Sequence, residues 1–131
     1  MSNLPEKLLV QLTPILKEQY KRSYYKFFKE AFRILHPQEV LRDNWHIEYL
    51  CNVIQDRFER VARKEKKLKD LLICIPPRSL KSMIVTIMST AWLWTNYPHL
   101  KVITASYSND LSIEHTLKTR RIIESEWYKE L

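Results

Sequence analysis

Leu71-Leu72-Ile73-Cys74-Ile75 runs into Pro76-Pro77-Arg78-Ser79-Leu80-Lys81-Ser82, and an apolar, helix-like run begins at Met83. A short apolar strand, a tight loop, Lys-Ser and a helix is the order in which a P-loop wraps the phosphates of ATP or GTP. Consecutive N–H groups at the opening of a helix form an anion-binding concavity, aided by the positive end of the helix dipole. Pro76 and Pro77 have no N–H, so the donors fall to Arg78, Ser79, Leu80, Lys81, Ser82 and Met83. In this reading Lys81 sets its ammonium against the phosphates and the Ser82 hydroxyl ligates Mg²⁺. Arg78 adds a planar fork suited to a phosphate. The chain has no glycine at all, so Leu80 stands where such a loop ordinarily relies on a glycine's freedom. The plainer reading is that Lys81 and Ser82 only start a helix.

Around the loop the chain reads as helices and two strands. Thr13 with Pro14 is the expected start of a first helix that runs through Tyr20, Tyr24, Phe27, Phe28, Ala31 and Leu35 and stops before Pro37. Those aromatics recur at helical spacing, which predicts core packing rather than a stacking surface for bases. Asn44 is the expected cap of a second helix with Trp45, Tyr49, Val53, Ile54, Phe58 and Val61 on its apolar face. Residues 70–75 read as a buried strand, 80–94 as a helix apolar nearly all round that Tyr97-Pro98 ends, and 101–105 as a second strand. Ser108 or Asn109 is the expected cap of a last helix reaching about Ser125. The order predicts an α/β fold in which N-terminal helices (1–69) precede a βαβα unit (70–131) whose two strands lie parallel. Such a short sheet leaves edges and an apolar face that need a cover.

The stretch 71–131 resembles the start of the ATPase domain of phage terminase large subunits, the motors that pump DNA into procapsids. The resemblance rests on the Pro-Pro-Arg loop ending in Lys81-Ser82, Ala91-Trp92 with Asn96-Tyr97-Pro98, Ala105-Ser106-Tyr107-Ser108, and Arg120-Arg121-Ile122-Ile123-Glu124-Ser125 before Trp127-Tyr128. Upstream, Asn44-Trp45-His46-Ile47-Glu48-Tyr49-Leu50 is similar to the helix that precedes the loop in that family. The resemblance implies an incomplete P-loop NTPase domain of the ASCE type, truncated before the acidic strand, the coupling motif and the nuclease domain.

It implies further that Pro77 to Met83 bind ATP, that Lys81 and Arg78 act on the phosphates, that Ser82 holds Mg²⁺, and that Trp45 or His46 meets the adenine. Phage DNA, a terminase small subunit and a portal are the implied partners, with a homo-oligomer only in a full-length protein. The site of action would be the cytoplasm of a bacterial host. The same residues admit two other readings: a non-enzymatic remnant that keeps only the packing, and a basic helical module for DNA.

Charge bears on that last reading. The net charge is +7, and residues 1–69 carry 15 Lys and Arg against 9 Asp and Glu. The densest group is Arg57, Arg60, Arg63, Lys64, Lys66, Lys67 and Lys69. Contacts to DNA phosphates would give a salt-sensitive affinity. Interleaved Asp56, Glu59 and Glu65 favour instead a solvated helix end whose cations complement the dipole. Cys51 and Cys74 show no ligand spacing and read as buried free thiols. Residues 1–7 lack a basic start followed by an apolar stretch, so no signal peptide is expected. The run from Met83 to Trp94 is well short of the roughly 20 residues that span a bilayer.

Overall fold

The computed structural model describes residues 6–131, with side chains from residue 13 onward. The chain forms α1 (Glu6–Arg22), α2 (Tyr24–Leu35), α3 (Trp45–Ala62), a π-helical turn (Met83–Ile87) continuing into α4 (Met88–Asn96), α5 (Asn109–Glu124) and α6 (Glu126–Lys129). No residue among those described is in a strand, so the expected α/β fold, with its βαβα unit and parallel pair of strands, is corrected to an all-helical one.

The physical reason lies in backbone pairing. A strand exists only where its N–H and C=O groups meet a neighbour's, and neither 70–75 nor 101–105 has such a partner among the described residues. Leu72 is 86% exposed and Ile103 96%, the reverse of the buried strands their composition predicts. Cys74 is exposed as well, whereas Cys51 is buried as expected.

The core is built on α2. Tyr24, Phe27, Phe28, Ala31 and Phe32, spaced at three and four residues, are all buried. They meet Ile47, Leu50, Cys51 and Ile54 of α3, Ile84 and Ile87 of the π turn, Met88, Ala91 and Trp92 of α4, and Ile122 of α5. One hydrophobic cluster therefore draws on residues from both sides of position 70.

The buried stripe of α3 is 47, 50, 51 and 54; Trp45, Tyr49 and Val61, expected on its apolar face, are 76%, 61% and 63% exposed. Both stripes have helical spacing. Only the one that α2 and the π turn cover becomes core.

Polar side chains fix how these helices join. The long first helix is interrupted at Ser23, which takes an extended conformation and caps α2, its hydroxyl accepting from Lys26 N–H. Three side chains donate to the C-terminal carbonyls of α1: Trp92 Nε1 to Tyr20 O at 3.1 Å, Asn96 Nδ2 to Lys21 O at 2.8 Å, and Gln55 Nε2 to Arg22 O at 2.8 Å. The Gln55 carbonyl also accepts Tyr24 N–H at 2.8 Å, so one amide bridges the break. These bonds satisfy the carbonyls that every helix end leaves open. At its other end α1 extends past Thr13, which lies inside it, and Pro14 sits within the helix. The N-terminal stretch read for a signal peptide lies largely outside the described residues, in 1–5.

Asn44 caps α3, Tyr97 ends α4 and Ser108 caps α5, as their sequences predict. No helix of the described residues is long and apolar enough to cross a membrane.

Burial also sets a pH response. It pushes the Cys51 thiol up to about 12 and the Tyr128 phenol up to about 12. Below about pH 8 both groups are protonated in folded and unfolded chains alike, and they contribute no pH dependence. Above it the unfolded chain loses these protons first, so stability falls from about pH 8 to about pH 12. A melting midpoint measured across that range should drop steadily, and Cys51→Ala should flatten the lower part of the slope.

Candidate functional site: the 76–83 loop

The loop between Ile75 and Met83 reaches its shape without glycine. Arg78 has φ 63° and Leu80 φ 59°, both in the left-handed region that costs an ordinary residue about 1–2 kcal/mol. Ser79 between them donates its hydroxyl to Pro76 O at 2.7 Å, a local turn bond. Leu80 O then accepts Ile84 N–H at 2.9 Å and begins the helical stretch that runs to Asn96.

Leu80 stands at the position that ordinarily takes glycine. Its side chain packs against the core cluster, which anchors the left-handed turn from one side.

The N–H groups of Lys81, Ser82 and Met83 are those of a first helical turn and have no backbone acceptor among the described residues. Lys81, Ser82 and Arg78 are exposed, and neither Arg78 nor Lys81 is in an ion pair among the described residues. Met83 is buried and belongs to the core, so the loop is tied down immediately behind its two cations. The residues from Ile75 to Met83 line an open cavity of about 440 Å³. Unpaired amides, a helix N-terminus and two free cations on one concave surface suit an anion with several oxygens.

Behind the loop lies α3. His46, half-buried, sets Nε2 3.3 Å from Ser79 O, and since a carbonyl only accepts, Nε2 carries the hydrogen. The sequence offered His46 no partner, because Ser79 lies 33 residues away. A second cavity of about 260 Å³ opens between His46, Ile47, the 39–42 connection and Arg78-Ser79-Leu80. Trp45 lines neither cavity; its ring lies edge-on to His46 at 6.3 Å and tilted to Tyr49 at 6.4 Å.

Four of the seven side chains of the basic cluster are held by neighbouring carboxylates or a backbone carbonyl. Arg60 pairs with Asp56 at 3.1 Å and Glu65 at 3.2 Å; Arg63 pairs with Glu65 at 2.7 Å and Glu59 at 3.7 Å. Lys67 pairs with Asp70 at 2.8 Å, and Arg57 donates to Lys69 O at 2.8 Å. Lys64, with φ 56°, closes α3: its N–H donates to Val61 O and that of Glu65 to Arg60 O, both at 3.0 Å. That is the Schellman ending, in which glycine is the usual occupant of the left-handed position. Lys64, Lys66 and Lys69 are the exposed members without an acidic partner among the described residues.

A third cavity, about 370 Å³, lies between α4, α5 and residues 102–104. Three of its hydroxyls turn back to backbone carbonyls: Thr90 to Thr86 O and Thr116 to Ser112 O at 2.9 Å, and Thr119 to Ile87 O at 3.1 Å. Arg120 there is paired with Glu124 at 2.7 Å. No group of His, Cys, Asp or Glu side chains among the described residues is placed to hold a metal ion. No protein-family model matches the chain, and neither does any curated protein or solved structure.

Proposed function

We propose that residues 76–83 bind the triphosphate of Mg·ATP, and that the chain is the nucleotide-handling N-terminal part of a phage terminase large subunit. The observation that carries the reading is the loop backbone: two left-handed residues, Arg78 and Leu80, turn the chain into a helix whose first N–H groups are free. Lys81 and Arg78 supply the opposite charge, with no acidic side chain paired to either among the described residues. The Ser82 hydroxyl, exposed in the first helical turn, fits one position around Mg²⁺, whose other ligands are phosphate oxygens and water. When bound, Mg²⁺ would neutralise phosphate charge. The reading does not draw on a sheet.

Within it, Lys81 holds the outer phosphates and the amides of Lys81 to Met83 hold the inner ones. Phage DNA, a small subunit and a portal would be the partners, and the bacterial cytoplasm the place of action. The pairing of Arg60, Arg63 and Lys67 with neighbouring carboxylates at the end of α3 favours a helix terminus over a DNA-binding module.

Titration calorimetry of the intact chain with Mg·ATP tests the proposal. Saturable binding is expected, weakened about tenfold or more by Lys81→Ala, because a charge-assisted contact is lost. No heat at millimolar nucleotide, or indifference to Lys81→Ala, would sink it in favour of a remnant that retains only packing. Binding to duplex DNA that falls steeply with salt and ignores nucleotide would favour the basic module instead.

A further inference from the structure

We infer that His46 is a positioning residue of the phosphate loop: it holds the Ser79–Leu80 peptide with its N–H turned toward the bound anion. The inference rests on the proposed triphosphate site and names what organises it. Among the described residues, the Nε2–H bond to Ser79 O is the one hydrogen bond that joins the 76–82 loop to a segment distant in sequence; its other bonds are the Ser79–Pro76 turn bond and the Leu80–Ile84 bond that opens the following helix. In a trans peptide the carbonyl of one residue and the N–H of the next point in opposite directions. A Ser79 carbonyl held against α3 therefore aims the Leu80 N–H away from α3.

The consequence reaches the backbone angles. Rotating that peptide by half a turn would change ψ of Ser79 and φ of Leu80 together, releasing Leu80 from its left-handed φ of 59°. It would also point the Ser79 carbonyl, a partial negative charge, at the place where phosphate oxygens should sit. A loop made with glycine pays nothing for the left-handed state; this one holds Leu80 there by packing on one side and the His46 bond on the other. His46 is well suited to this role because Asn44 caps α3 and the core-bound Ile47 follows it, so its ring hangs from a fixed first turn.

The experiment compares wild type, His46→Ala and His46→Gln, since glutamine keeps an N–H donor of similar reach. Two measurements use no nucleotide. Loss of the bond in His46→Ala should shift the Ser79 carbonyl ¹³C resonance upfield. It should also speed tryptic cleavage after Arg78 about fivefold, with cleavage after Arg22 unchanged as the control for global opening. The third is calorimetry with Mg·ATP, where His46→Ala should weaken binding about fivefold and His46→Gln should return it to within about twofold.

An unmoved Ser79 resonance and unchanged cleavage in His46→Ala would overturn the positioning role. So would equal impairment of the alanine and glutamine variants, which would assign the effect to ring packing. If the wild type binds no nucleotide, the triphosphate reading fails, and the first two measurements still decide whether His46 orients the peptide.

Discussion

Replacing Trp92 by alanine is expected to cost about 3–5 kcal/mol, the largest single loss in the molecule. The indole is fully buried, lies 5.4 Å from the Tyr24 ring, and donates Nε1–H to Tyr20 O at 3.1 Å. Truncation removes the packing of α4 against α2, opens a cavity, and strips the Tyr20 carbonyl of its donor. For a chain of 131 residues the total stability is on the order of 7–20 kcal/mol, so the change is a large fraction of it. Urea unfolding followed by circular dichroism should show a markedly lower midpoint with an unchanged slope. A loss below about 1 kcal/mol would mean that the helices do not assemble around this side chain.

The next largest effect is expected from Tyr24→Phe, at about 2 kcal/mol. Tyr24 is wholly buried and its hydroxyl donates to Ile84 O, inside the π turn that follows the phosphate loop. Met88 N–H reaches back to Met83 O there, the five-residue spacing of a π turn. Phenylalanine keeps the ring and its contacts but leaves a buried carbonyl without its donor, so the loss reads the hydrogen bond alone. Burial also holds the Tyr24 phenol well above its ordinary range, which keeps the donor protonated. A double mutant with Trp92→Ala should be less than additive, because the two rings touch. Stability within about 0.5 kcal/mol of wild type would show the carbonyl is satisfied some other way.

Tyr24 and Trp92 belong to a wider pattern in which side chains from one helix take backbone carbonyls of another. Thr119 donates to Ile87 O at 3.1 Å and Tyr128 to Ala91 O at 2.8 Å. Together with the Tyr24 bond they grip the π turn and α4 from α2, α5 and α6. The loop that precedes this stretch is thus mounted on a firmly held helix, although the loop itself is exposed. Such mounting limits the reorganisation that anion binding would require.

Features set by neighbouring residues were legible in the chain. Asn44 and Ser108 cap helices because their side chains reach an N–H one to three residues on, and Tyr97-Pro98 ends α4 because proline cannot continue it. The stripe of Tyr24, Phe27, Phe28 and Ala31 is core because no polar residue interrupts its spacing. The loop from Pro76 to Ser82 was likewise legible as a bend opening a helix.

What escaped depends on partners distant in sequence. Residues 70–75 and 101–105 have the composition of strands, but composition supplies no pairing neighbour, and without one they remain unpaired and partly exposed. The α3 helix carries two stripes of apolar side chains, and only the approach of α2 decided that Ile47, Leu50 and Ile54 face inward while Trp45 and Tyr49 face out. The break at Ser23 exists because Gln55, Trp92 and Asn96 converge on the end of α1. The partner of His46 is a carbonyl 33 residues away. Local chemistry determined the caps, the stops and the loop, since their energies lie within a few residues; the sheet's absence, the buried face of α3 and the support of the loop were decided by tertiary contact, because burial and hydrogen bonding across the chain have no counterpart in the order of the residues alone.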